Sequence, residues 1–301
     1  MVKKFKNSVV FSQPWGGLGD NLGFTNLPEL FNASGIAFYI SRLNYTRNKD
    51  IYDLCWGHNE FVKKLKRTIP NIGFKILDES GYKVFDEKYN IVQNVNVAHG
   101  FDPGYGYPKI KLPSNIKNIS NEHFDHVVDF KAHSILNDSH FSYDEESFNE
   151  KIKYYTTSDS FNLAYPQIYE LNKKNKNTIE VTNLNRLISI LLKTNTFVCI
   201  NSGSHALAAT LKNITGFPKN IISFNNVRDV DVEINNHRIQ NKRGQYYFDN
   251  VKYEKINIIN KNNDKSEHKD LQEITKNMSK SLKYHRRIFY YQKRISTFLG
   301  N

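Results

Sequence analysis

The chain has 301 residues, of which 39% are hydrophobic, 13% aromatic and 24% charged. That is enough apolar material for one large folded unit or two smaller ones, which excludes a disulfide-stapled mini-protein and an intrinsically disordered chain. The formal net charge of +12 calls for an anionic partner: nucleic acid, a membrane surface or a phosphorylated small molecule.

Apolar runs such as 188–192 and 197–200 fall far short of the roughly 20 residues that cross a bilayer. The start Met1-Val-Lys-Lys-Phe-Lys6 is basic, but the apolar stretch after it is broken at Ser12, Gln13 and Pro14. It therefore lacks a secretory core, and a cytoplasmic location is expected. Cys55 and Cys199 are the only cysteines and lack ligand spacing, so they read as reduced, buried residues.

In chain order, Val9-Val10-Phe11 predicts a strand that runs into Gly16-Gly17-Leu18-Gly19-Asp20-Asn21-Leu22-Gly23 and then a helix over 24–31. A second strand is expected over 36–40, a helix over 58–68, and strands over 73–77 and 91–97. Strands alternating with helices imply a mostly parallel sheet. Glycines and prolines punctuate 99–120, which reads as a linker, so a first domain is placed at 1–122.

The second unit, 123–268, opens with a strand at 127–130, followed by a helix over 145–155 and a strand over 163–169. Leucine and isoleucine recur at helical spacing over 184–192, with Thr182 or Asn183 able to cap the start. An uncharged strand at 196–200 then leads into Asn201-Ser202-Gly203-Ser204-His205 and a small-residue helix at 206–211. Residues 225–263 are polar and turn-rich. The remainder, 269–301, is basic and helical in pattern, and would pack back across both units. The expected architecture is α/β, with two Rossmann-like domains facing each other across a cleft.

Two turns carry the chemistry. Gly16, Gly17 and Gly19 permit a tight strand-to-helix turn or the close approach of a ligand. Asp20, at the start of the helix, reads either as a cap or as a general base. Ser202, Gly203, Ser204 and His205 place hydroxyls, amides and an imidazole at a helix start after a buried strand, a construction that suits a diphosphate or a simple cap. His99 and Asp102, in the Gly/Pro linker, are candidate cleft contacts. His123, His126, His133 and His140 have no recognised ligand spacing, so no metal is expected.

The pairing of Gly16-Gly-Leu-Gly-Asp-Asn-Leu22 with Thr196-Phe-Val-Cys-Ile-Asn-Ser-Gly-Ser-His-Ala-Leu-Ala-Ala209 resembles the GT-B glycosyltransferases of family 9, the lipopolysaccharide heptosyltransferase type. Tyr52-Asp-Leu-Cys-Trp-Gly-His-Asn59 is similar to a segment those enzymes carry before a helix. The resemblance extends in patches over roughly residues 9 to 215. It implies Asp20 as base and a donor diphosphate held at Ser202, Gly203, Ser204 and His205; Asn21, next to Asp20 in the chain, is a further candidate cleft contact. The histidine stands one residue earlier than in the family pattern. Lys131, in Asp129-Phe-Lys-Ala-His-Ser134, best matches the family's basic residue.

The implied reaction is an inverting, metal-independent sugar transfer with a nucleotide-sugar co-substrate and no further cofactor. A glycan or lipid-linked glycan of lipopolysaccharide or capsule assembly would be the acceptor, and an anionic membrane surface is a candidate partner for the basic C-terminus. Two alternatives carry less. A nicotinamide-dependent dehydrogenase or epimerase is suggested by Tyr169-Glu-Leu-Asn-Lys173 and by Gly16, Gly19 and Gly23, but the second strand ends in Ser41-Arg-Leu43 without an acidic ribose ligand. Nucleic-acid binding is suggested by 283–294, where aromatics interleave with bases. It is disfavoured because Ile288, Tyr291 and Ile295 share one helix face. Asp229-Val-Asp231 reads as surface rather than as a metal pair.

Overall fold

The computed structural model describes residues 8–13, 16–42, 44–66, 72–73, 86, 88–113, 116, 122–129, 142–143, 160–165, 177–226, 247–256 and 258–259. The expected helices at 145–155 and 269–301, and the residues Trp15, Lys131, Tyr169, Lys173, Asp229 and Asp231, lie outside them.

The first sheet is built from β1 (Ser8–Ser12), β2 (Ala37–Ser41), β3 (Val62–Lys66) and β4 (Ile72–Gly73), in the order β3-β2-β1-β4 and parallel throughout. Val9 pairs with Phe38 and Phe11 with Ile40, so β1 and β2 present matched apolar rows. Between them run α1 (Leu18–Leu22) and α2 (Leu27–Ala33). The helix expected over 24–31 is α2, over Leu27–Ala33, with Pro28 in its first turn, where a missing amide hydrogen costs nothing, and the segment expected as a glycine loop itself holds the further short helix α1. Phe11 anchors this half of the core, its ring 5.1 Å from those of Phe24 and Trp56.

Two expectations are corrected here. Instead of a helix over 58–68, α3 (Lys49–Tyr52) runs into a π turn at Asp53–Gly57, and the lysine-rich segment after it is β3, on the sheet edge where charged strands are tolerated. Instead of a strand, residues Ile91–Ala98 form α4. Asn90 and Gln93 cap it reciprocally, each side chain accepting the other's backbone N–H at 3.1 Å. Periodicity alone does not separate a short β-branched run from a helix, and the cap decides it.

The second sheet has the order β11-β10-β9-β5-β7-β8, again parallel throughout. Its strands are β5 (Phe124–Asp129), β7 (Ser160–Ala164), β8 (Thr178–Glu180), β9 (Thr194–Ile200), β10 (Asn220–Asn226) and β11 (Lys252–Ile256). A short antiparallel pair joins β6 (Ser142–Tyr143) to β12 (Ile258–Ile259). Helix α5 (Leu184–Leu191) is capped by Asn183, whose side chain accepts from Arg186 N, and it buries Leu187, Ile188, Ile190 and Leu191. Helix α6 (Gly203–Thr215) buries Ala206, Leu207, Ala208 and Ala209 completely and ends at Gly216, whose φ of 80° is a left-handed cap. The small side chains bring α6 close against the sheet. Buried residues of both sheets form one contiguous cluster.

Candidate functional site

In open parallel sheets, ligands bind beyond the carboxyl ends of strands where connections leave in opposite directions. In the first sheet β1 lies between β2 and β4, so the glycine turn is at such a point. In the second, β5 connects toward β7 and β9 toward β10, so the crevice falls between the ends of β5 and β9, beside Ser202.

At the first turn each glycine has a distinct job. A Cβ on Gly16 would overlap the Tyr45 ring and stand 2.8 Å from the Arg47 nitrogen. Its absence lets residues 44–47 close over the turn, where Arg47 N donates to Gly16 O at 2.9 Å and Tyr45 N to Gln13 O at 3.1 Å. Gly17 N donates to Asp20 Oδ2 at 3.1 Å, so the carboxylate folds back over the start of α1. Asn21 is fully buried: its Nδ2 donates to Gly17 O at 2.9 Å, and its Oδ1 accepts from Trp56 Nε1 at 2.9 Å. It is placed beneath the turn rather than on a cleft surface.

At the second turn Ser202 occupies the N-cap of α6 with extended backbone, yet its side chain caps nothing. Its Oγ lies 2.8 Å from Ser204 Oγ instead. The first helical bond runs from Ala206 N to Ser202 O, so the amides of Gly203, Ser204 and His205 precede the helical ladder. This amino end meets the first turn directly: a Cβ on Gly203 would sit 3.0 Å from Gly19 N and 3.0 Å from Leu18 Cβ. The structure thus sets Gly203 against Leu18 and Gly19, with Gly17 and Asp20 joined in the one turn and Ser202 and Ser204 in the other.

Three expected site residues are placed elsewhere. His205 is fully buried, with Nε2 2.9 Å from Tyr253 Oη, and that hydroxyl accepts from Phe248 N at 2.9 Å. Burial pushes its pKa down to about 3, so the imidazole is neutral and ties α6 to β11. His99 ends α4 with Nδ1 2.8 Å from Val95 O and its ring edge-on to Phe31. Asp102 is exposed on the linker, which Asn96 and Gln93 hold through Pro103 O and Gly104 O.

Several contacts between the halves have no short-range signal in the sequence. Asp50 Oδ2 accepts from Leu184 N at 3.1 Å, capping α5 from α3. Asn90 Nδ2 donates to both Gly106 O and Tyr247 O, and Asn250 N donates to Tyr107 Oη at 3.2 Å. At the end of β5, buried Asp129 accepts from Tyr165 Oη at 3.0 Å, and burial together with this carboxylate raises the phenol well above its usual range. Among the described residues no cluster of three or more His, Cys, Asp or Glu could hold a metal ion, and no helix is long and apolar enough to cross a membrane.

The sequence matches no protein-family model and no curated protein. Solved structures do match. The dodecameric iron-containing heptosyltransferase TibC, in complex with ADP-D-β-D-heptose, is 14% identical over 80% of this chain and 64% of its own, with a TM-score of 0.54. A glycosyl transferase of family 9 from Veillonella parvula is 10% identical over 83% of this chain and 86% of its own, with a TM-score of 0.51. TibC from enterotoxigenic E. coli H10407 is 16% identical over 72% of this chain, with a TM-score of 0.49. The chain spans 57% and 64% of the two TibC chains. It has the parallel α/β fold of these glycosyltransferase structures, and it resembles family 9 in that fold.

Proposed function

We propose that the protein is a glycosyltransferase that moves a sugar from a nucleoside-diphosphate donor to a hydroxyl of a glycan or lipid-linked glycan. The two sheets are read as the facing domains of a GT-B enzyme, 1–122 on the acceptor side and 123–268 on the donor side, with the basic segment 269–301 closing across them. The observation that carries this reading is the approach of Gly203 to Gly19, which sets the uncapped amino end of α6 against the turn bearing Asp20.

In this reading Asp20 takes the proton of the acceptor hydroxyl while that oxygen attacks the anomeric carbon from the face opposite the diphosphate. The new C–O bond forms as the bond to the diphosphate breaks, the leaving oxygen keeps the electron pair, and the configuration inverts. Charge grows on the diphosphate. The amides of Gly203 and Ser204, the aligned dipole of α6, the Ser202 and Ser204 hydroxyls and Lys131 are proposed to bear that charge without a metal. Helix amides are fixed before the reaction begins, so no reorganisation is needed when charge appears. The His205 side chain, buried and neutral, serves the fold, while its backbone amide stands with those of Gly203 and Ser204 at the start of α6.

The experiment is a thermal-shift panel of nucleoside diphosphates, since a ligand bound only to the folded state raises the melting temperature by mass action. One nucleotide should stabilise selectively, with turnover of the matching nucleotide sugar surviving EDTA. No shift with any nucleotide removes the donor site and with it the transferase. The location, at the inner face of an anionic membrane, is tested separately by liposome co-sedimentation with and without anionic lipid.

A further inference from the structure

We propose that Asn21 and Trp56 are positioning residues for the Asp20 carboxylate, a role that rests on Asp20 being the base. Gly17 links the three. Its N–H donates to Asp20 Oδ2 at 3.1 Å, and its C=O accepts from Asn21 N at 3.1 Å and Asn21 Nδ2 at 2.9 Å. A Cβ on Gly17 would stand 2.6 Å from Asp20 Oδ2, so only glycine lets the carboxylate settle there. Glycine is also the residue with most backbone freedom to lose, and something must hold it.

That hold comes from Asn21 and Trp56. The indole N–H only donates, so its 2.9 Å bond fixes Asn21 with Oδ1 toward Trp56 and Nδ2 toward Gly17 O. Trp56 is 1% exposed, sits on the π turn Asp53–Gly57, and packs against Phe11 at 5.1 Å and Phe38 at 6.5 Å. The ring therefore cannot swing, and the chain indole to amide to Gly17 to carboxylate is anchored in the core at its far end. A fully buried polar pair whose indole packs on Phe11 and Phe38 is costly unless its donors and acceptors are used, and here the use is directed at the turn.

The test reads both ends of the chain. In a Trp15→Phe background, which leaves Trp56 as the single indole signal, the Gly17 amide and Trp56 indole N–H resonances are followed by NMR across the Asp20 titration. Both should move with Asp20, and both should lose that dependence in Asp20→Asn. In Trp56→Phe, kcat for the nucleotide sugar selected by the thermal-shift panel should fall about tenfold, with nucleoside-diphosphate affinity unchanged within twofold. An indole resonance blind to Asp20, or an unaltered kcat in Trp56→Phe, overturns the positioning role. Asp20→Asn run alongside separates the failures, because near-normal turnover in that variant overturns the base reading itself.

Discussion

Gly203, the first residue of α6, lies against Gly19 in the first turn of α1, 184 positions earlier in the chain, with room for a Cβ only at 3.0 Å from the Gly19 nitrogen. Contacts that tight force a neighbour to move, and here the neighbours are backbone and the Leu18 Cβ. Gly203→Ala should therefore lose about 1–3 kcal/mol in urea denaturation, the usual cost of overpacking, and should pry the two turns apart. Gly216→Ala is the comparison: nothing lies within 4 Å, so its loss, about 1 kcal/mol, comes from the left-handed φ alone. Turnover should drop in the first variant and not in the second.

Asp20 is the second test. The isosteric Asp20→Asn change keeps the side chain over Gly17 N while removing its capacity to take a proton. Turnover should fall by about 10²- to 10⁴-fold, the usual contribution of a general base, with nucleoside-diphosphate affinity unchanged. A fall in affinity matching the fall in turnover would show instead that the carboxylate orders the turn.

Both turns were legible from local signals, because a short apolar run followed by Gly or Ser clusters fixes strand, turn and helix within a dozen residues. The direction of His205 was not. At the third position of a helix a side chain can turn toward the ligand or toward the sheet, and the decision was made by Tyr253, which lies 48 residues on and offers a hydroxyl inside the core. Likewise α4 looked like a strand because Ile91, Val92, Val95 and Val97 are β-branched, and the Asn90–Gln93 cap outweighed that preference. The clamps Asp50–Leu184 and Asn90–Tyr247 join positions 134 and 157 apart, beyond any periodicity.

Burial of His205 has a pH consequence. Its folded pKa, about 3, lies below the ordinary 6.5, so the unfolded chain binds the proton first as pH falls. Above about 6.5 the group is neutral in both states and contributes no slope. Below it, stability declines by about 1.4 kcal/mol per pH unit down toward the folded value. Between pH 7 and pH 5 this single group should remove about 2 kcal/mol, which His205→Gln, retaining a polar partner for Tyr253, should largely abolish in paired urea titrations. Equal acid losses in both proteins would assign the decline to other groups.

Asn90 ties the linker and the 247–250 segment to the amino end of α4. Its side chain accepts from Gln93 N and donates to Gly106 O at 2.7 Å and Tyr247 O at 2.9 Å, while Tyr107 stacks on Phe248 at 5.8 Å centroid distance and accepts from Asn250 N. Asn90→Ala removes a helix cap worth about 1 kcal/mol and two further hydrogen bonds worth about 0.5–1.5 kcal/mol each. Tyr107→Phe keeps the ring stack and loses one bond, so it should cost about 1 kcal/mol. The two changes grip the same segment from different residues, so in the double variant their losses should not add. Hydrogen exchange should quicken in Asn90→Ala across 247–253 as well as at the start of α4. Acceleration confined to α4 would mean that Asn90 serves its own helix only, with the two halves held by Asp50 and the Gly203–Gly19 contact instead.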